Sequence, residues 1–286
     1  EQAKTLWDWL QLLIVPIILG LGGVLINHTL QQNEQSRAEK QAEVDRQIAK
    51  ERDETERKIA EGRAQDQRLR AYLDRISELL LDRQLGDAEQ VKDEVKTLAR
   101  TLTLTTLRGL DGERKGAIVN FLYEANLIGN LEMKAIIDLK DADLTTINLS
   151  RSILFGANLS RVNISGSNLH KMILAWGDFT EANLTGANLS ESFLLETQLS
   201  ETVMENTKLI SAVLNGAFLA KAHLVNADLT DADLGFAHLV WAVLERANLT
   251  GADLSNAEVT EEQLRTAILD ERTILPDGTR YQGQWD

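Results

Sequence analysis

The sequence predicts an α+β chain whose C-terminal half is a solenoid, and three observations carry that prediction. A large apolar residue stands at every fifth position from Leu139 to Leu254 without a break. The residue two places before it is almost always small, and from Ala212 to Ala257 it is alanine at every repeat. Upstream, residues 27–83 are rich in Gln, Glu, Lys, Arg and Ala, with a single glycine, Gly62, and no proline. Neither a helix of period 3.6 nor a strand of period 2 returns every five residues, so each of the 24 repeats must be one side of a larger coil.

Taken in order, the chain opens on an apolar segment. From Leu10 to Ile26 it holds one polar residue, Gln11, and no charge, with Trp7 and Trp9 in front. With Leu6 this gives about 20 helical residues, enough to cross a hydrocarbon core of about 30 Å. The expectation is a single membrane span anchored by Trp7, Trp9, Leu13, Ile14, Ile17, Ile18, Leu21 and Leu25. Pro16 is a candidate kink, and Gly20, Gly22 and Gly23 would permit close helix approach. Arg37, Lys40 and Arg46 follow the span and Lys4 precedes it, which places the C-terminal part in the cytoplasm. A buried core helix and a cleaved signal peptide are the alternatives.

Residues 29–85 read as one long charged helix. Ala38, Ala49, Ala60 and Ala71 recur every 11 residues, and Ile48 and Ile59 share the spacing. An 11-residue period is that of a nearly straight or slightly right-handed coiled coil. The seam is thin, so a solvated helix stays open as an alternative. The last turns carry a fuller apolar face at Leu69, Tyr72, Leu73, Ile76, Leu79 and Leu80. Gly86 and Asp87 break the pattern, and two shorter helices are expected near 89–109 and 112–128, with Asp111 as N-cap and Gly129 as C-terminal stop.

The repeats A-N-L-S-R, A-N-L-T-G, A-D-L-T-D and A-D-L-S-N resemble the A-(D/N)-L-x-x signature of the pentapeptide-repeat family. The resemblance implies a right-handed quadrilateral β-helix in which four repeats make one square coil, with the central Leu and the preceding small residue pointing inward. It implies about six coils and, at strand spacing, a rod of about 29 Å. The segments QRLRAYLDRISELLLD and TLTLTTLRGLDGERKGAIVNFLYEANLI, with the apolar span, resemble the N-terminal region of bacterial membrane-anchored members. The helical block is expected to sit over the open first coil and shield its strand edges. Beyond the last coil, Thr260 to Gln263 forms a T-x-x-Q capping box, Pro276-Asp277-Gly278 marks a turn, and Tyr281 and Trp285 are candidate anchors. The expected organisation is therefore 1–28 anchor, 29–85 long helix, 86–136 capping block, 137–259 β-helix and 260–286 terminal cap.

Chemistry is sparse. The chain has no cysteine, which excludes disulfides, thiol catalysis and thiolate metal sites. His28, His170, His223 and His238 form no pair at metal-binding helical spacing, and His223 and His238 fall on different faces of a square coil. Asp141 with Asp143, and Asp231 with Asp233, read as solvated or turn-capping carboxylates. Nucleophile-elbow, P-loop and dinucleotide fingerprints do not occur. The expectation is a chain that is not an enzyme and takes no cofactor, metal or small-molecule substrate.

Charge is uneven: residues 1–136 carry 20 Lys/Arg against 23 Asp/Glu, and residues 137–286 carry 10 against 21. The position before each central residue, Asp or Asn in most repeats, departs from that on one face. There the series runs Ile153, Ile173, Phe193, Val213, then Asp233 and Asp253. Phe155 and Leu195 follow on that face, with Trp176 and Phe236 at the adjacent corner. An outward apolar ladder of this length suits docking, either by a protein partner or second copy, or by residues 89–128 folding back.

The leading expectation is a noncatalytic membrane-anchored interaction or scaffold module that is homo-oligomeric, touching lipid through one span. Two alternatives stand beside it: a subunit of a transport or gating assembly, and an acidic DNA mimic that modulates type II topoisomerase, as in the quinolone-resistance branch of the family. Nucleic acid itself is not expected as a partner.

Overall fold

A computed structural model describes residues 6–81, 91–129 and 135–284. The chain divides into two compact units between Arg63 and Ala64.

The first unit is helical. α1 runs from Leu6 to Leu81, 76 residues, and so continues through the unit boundary. Its charged part satisfies itself locally, with Thr55 Oγ1 donating to the Glu51 carbonyl and Gln41 Nε2 to Asp45 Oδ1, both one turn away. The span expected at residues 6–26 is corrected. Among the described residues no helix is long and apolar enough to cross a membrane, which overturns the single-pass placement and its orientation. The apolar run from Leu10 to Ile26 is only 17 residues, at the short limit for a span, and Gln11, Pro16, Gly20, Gly22 and Gly23 dilute it. Of the residues assigned to anchoring, Trp7, Ile14, Leu21 and Leu25 are exposed, and the side chains of Trp9, Leu13, Ile17 and Ile18 lie outside those described.

In the second unit, residues 64–81 of α1 pack with α2 (Asp93–Arg108) and α3 (Gly112–Glu124). The apolar face read at the end of the long helix buries Tyr72, Ile76 and Leu79 in one cluster with Ala99, Leu107, Ile118, Val119 and Leu122. Tyr72 Oη lies 2.9 Å from Thr103 Oγ1, which also donates to the Ala99 carbonyl. Burial pushes the Tyr72 phenol up to about 12, because the phenolate would have no solvent to stabilise it. Asp111 caps α3 by accepting from the Arg114 amide at 3.0 Å. The stop expected at Gly129 is not used. α3 ends at Glu124, and Asn126 takes the left-handed conformation with φ 55°. The Leu127 amide then reaches the Leu122 carbonyl and the Asn126 amide the Tyr123 carbonyl, a Schellman closure for which Asn suffices.

From Leu139 the chain coils. Isolated parallel bridges join residues 20 apart, Asp143 to Asn163, Asn148 to Asn168, Ile153 to Ile173, and so on to His238 with Glu258. Each side contributes one bridged residue rather than a continuous strand, so among the described residues the β-helix is held by single rungs. Four pentapeptides per coil is the register expected. The central residues Leu139 to Leu254 are all buried, as are the alanines before them. Where a hydroxyl replaces alanine it finds a carbonyl: Thr197 donates to Leu174 and Thr207 to Leu184. The inner ladder therefore carries no orphaned polar atom among the described residues.

The corners explain the five-residue period. At the second residue after each centre, from Asp141 to Asn256, all 24 positions have positive φ, and 19 of them are not glycine. At 22 of these corners the amide of the next residue closes a turn onto the central carbonyl, as from Ala142 to Leu139. Positive φ at the third turn residue alone is the type II pattern.

At the far end, α4 (Glu261–Leu264) carries the expected capping box between Thr260 and Gln263. The coil resumes beyond it: Ile268 bridges Asn248 and Ile274 bridges Asp253. The tail thus adds half a turn to the six coils instead of only lying across them, and Gln263 Nε2 ties α4 down by donating to the Leu239 and Ala242 carbonyls. The Tyr281 amide donates to the Thr273 carbonyl, and Trp285 lies outside the described residues.

Candidate docking face

On three sides of the coil the residue before the centre is mostly Asn, Asp or Gln, and the Asn and Asp side chains brace the following turn. Asn188 Oδ1 accepts from the Ser190 amide at 3.1 Å, Asp178 from Thr180 and Asn158 from Ser160. Of the carboxylates read as solvated or turn-capping, Asp143 and Asp233 brace turns. Asp143 accepts from the Thr145 hydroxyl and amide, and the hydroxyl above all holds its carboxyl below the usual carboxylate range. Asp233 braces Gly235, while Asp141 and Asp231 accept from Arg161 and Arg272. His223 and His238 stand on separate faces, each in its own bridge series.

The fourth side lacks the brace over four coils. Ile153, Ile173, Phe193 and Val213 bridge one another in unbroken succession, followed by Asp233 and Asp253. Isoleucine, phenylalanine and valine have no acceptor for the turn amide, so their side chains are free to present apolar surface. Ile153 is 59% exposed and Phe193 52%; Ile173 between them and Val213 beyond Phe193 are half-buried. Phe155 meets Trp176 edge to face with centroids 4.7 Å apart, and Trp176 Nε1 donates to Glu196 Oε2 at 3.0 Å. That pairing fixes the Trp176 ring at a left-handed corner, a costly backbone conformation for so bulky a residue.

The structure brings together Ile153, Phe155, Ile173, Trp176, Phe193, Leu195 and Val213. It separates Phe236, which shares the Trp176 corner series but stands three coils further on, with Glu196 and Gly216 between. Phe236 is instead followed along the chain by exposed Val240, Trp241 and Val243, and His238 of the same coil stacks on Phe218. Sequence reading missed Trp241; its signal was an aromatic at a corner that elsewhere carries Asp, Arg, Glu or Lys.

Among the described residues the helical block leaves Ile153 and Phe193 of the ladder exposed. It sits on the first coil, as the exposed strand edge there requires. The Gly112 carbonyl accepts from the Asn148 amide at 2.9 Å, Arg100 donates to the carbonyls of Asp138 and Lys140, and Lys115 Nζ reaches the Thr145 carbonyl. On the ladder side Tyr123 Oη donates to the Phe155 carbonyl at 3.0 Å. Among the described residues no cluster of His and carboxylates could hold a metal ion.

Comparison with protein families agrees with this architecture. The family model for pentapeptide repeats matches in eight copies, at residues 137–170, 178–216, 208–246 and 227–261. Similar solved structures include full-length QnrB1, a plasmid-mediated fluoroquinolone resistance protein, at 16% identity over 48% of this chain and 78% of that one, TM-score 0.37. HetL, involved in heterocyst differentiation regulation in the cyanobacterium Nostoc sp. strain PCC 7120, is 22% identical over 57% and 98%, TM-score 0.26. A pentapeptide repeat protein of the Arabidopsis thaliana thylakoid lumen is 23% identical over 49% and 80%, TM-score 0.32. Among curated proteins none is similar to this chain.

Proposed function

We propose that this chain, whose residues 137–261 form a pentapeptide-repeat solenoid, is a noncatalytic protein-interaction module that docks a protein partner on its apolar ladder. The observation that carries the reading is the exposure of Ile153 and Phe193 on a side where the turn-bracing Asn or Asp has been given up. Monomeric proteins seldom leave a contiguous apolar strip uncovered. Ile173, Phe193, Val213 and Leu195 form its centre, flanked by the fixed ring of Trp176. A rigid coil suits this role, because its backbone pays no ordering entropy when a partner binds.

The acidity of residues 137–286 favours a second reading, an acidic DNA mimic acting on type II topoisomerase. Ion pairs between coils weigh against it. Lys171 meets Glu191 at 3.0 Å, Lys221 meets Glu201 at 2.7 Å and Arg161 meets Asp141 at 3.1 Å, so the acid ladders are interleaved with cations. The transport reading rested on the membrane span and is withdrawn with it.

The test is Ile173→Asn with Phe193→Asn, which restores the turn brace and removes the apolar surface. The β signature in circular dichroism should survive while capture of the partner falls by at least about tenfold. Undiminished capture would sink the assignment of this face.

A further inference from the structure

Residues 27–63 of α1 expose four large apolar side chains, Leu30, Val44, Ile48 and Ile59. At about 100° per residue they fall within a sector of about 60° on the helix. They belong to a single stripe with successive spacings of three, four and four: Leu30, Asn33, Arg37, Gln41, Val44, Ile48, Arg52, Thr55, Ile59 and Arg63. This is the 11-residue period of a nearly straight coiled-coil seam. In proteins most helical stability comes from packing an apolar face, so covering this stripe would add to what propensity supplies.

The stripe itself says what would cover it. It carries three arginines and no carboxylate, although nine Asp and Glu lie elsewhere in residues 27–63. A parallel, in-register copy would set Arg37, Arg52 and Arg63 each against its own counterpart, which like-charge repulsion opposes. Reversed, the stripe nearly maps onto itself. Val44 then faces Ile48 of the second copy, Gln41 faces Arg52, Arg37 faces Thr55, Asn33 faces Ile59 and Leu30 faces Arg63. Four aliphatic side chains meet at the centre, and every arginine faces a neutral residue along whose surface its aliphatic stem can lie.

We infer that α1 pairs antiparallel with α1 of a second copy, about a two-fold axis passing between Val44 and Ile48. Such an isologous contact closes at two chains. Each particle then carries two docking ladders, so binding to a partner displayed in multiple copies gains from effective concentration. The pairing does not depend on the ladder being the docking face.

Because the full chain has no cysteine, disulfide trapping reads the geometry directly. An equimolar mixture of Asn33→Cys and Ile59→Cys chains should give the mixed disulfide under mild oxidation, in large excess over either homodisulfide. Predominant homodisulfides would show a parallel pair and overturn the inference, and so would a wild-type chain of monomer mass in sedimentation equilibrium at micromolar concentration. Val44→Asp with Ile48→Asp should weaken the dimer by at least about 100-fold with the β signature intact. Ile173→Asn with Phe193→Asn should leave mass and disulfide pattern unchanged; a loss of the dimer in that variant would assign the contact to the ladder instead.

Discussion

Replacing Gly116 by alanine sets two effects of known sign against each other. In an isolated helix alanine is favoured over glycine by about 1 kcal/mol, so propensity predicts a stabler α3. The seat of α3 on the first coil predicts the reverse. A Cβ on Gly116 would lie 2.0 Å from the Asn148 carbonyl oxygen and 3.2 Å from its carbon, both backbone atoms that cannot swing away. Gly112, one turn earlier, approaches the Thr146 carbonyl just as closely at 2.0 Å. Relief requires α3 to retreat by about 1 Å or more to reach van der Waals separation. Retreat strains the Asn148 amide bond to Gly112, the Lys115 bond to Thr145 and the Asn148 bond to Glu113, now 2.9, 3.0 and 2.7 Å. Overpacking of this kind costs about 1–3 kcal/mol, and each weakened hydrogen bond about 1 kcal/mol. After the gain in propensity the net loss is about 3–5 kcal/mol, or about 6–20 °C in Tm for a unit of this size. Thermal unfolding monitored in the α-helical band should show the drop, and hydrogen exchange should show amides of the first coil, Asn148 foremost, losing protection. A Gly116→Ala protein melting at or above the wild-type temperature would refute the close seating of α3.

Leu189→Asp places a carboxylate at a centre with no exposed surface and should cost at least about 4 kcal/mol, unfolding or segmenting the coil. Asn188→Asp keeps the acceptor for the Ser190 amide and should stay within about 0.5 kcal/mol, so equal melting temperatures in denaturation scans would contradict the inward and outward assignment. Tyr72→Phe tests the buried phenol. Since its folded pKa of about 12 lies above the unfolded value, the stability it confers is complete below pH about 10 and drains away as pH climbs towards 12. The variant should lose about 1 kcal/mol at neutral pH yet unfold at higher pH in an alkaline titration, and an unchanged alkaline midpoint would show that Tyr72 does not titrate with unfolding.

The coil was legible in the sequence because its determinants recur. Each repeat solves the same local problem, a buried centre, a small neighbour and a corner at positive φ, so 24 copies leave one periodic signature. For the same reason the apolar side could be read by counting in steps of 20, and Ile153, Ile173, Phe193 and Val213 do form one ladder. Phe236 holds the corner read for it, three coils beyond Trp176. The caps at Asp111 and Thr260 were readable because a cap depends on residues three apart. What the tertiary structure decided were contacts between segments distant in the chain. Gly112 and Gly116 look like weak points of a short helix until the first coil is set against them, when the missing side chains become the means by which a carbonyl closes the Asn148 edge. Whether the ladder is covered, how the tail resumes the coil at Ile268 and Ile274, and which stretch of α1 is packed at Tyr72 and which left bare at Ile48 all depend on what lies opposite in space. Periodicity records which face a residue takes, because that is fixed by the backbone within a few residues; what meets that face is fixed by the closing of loops, about which local pattern carries no information.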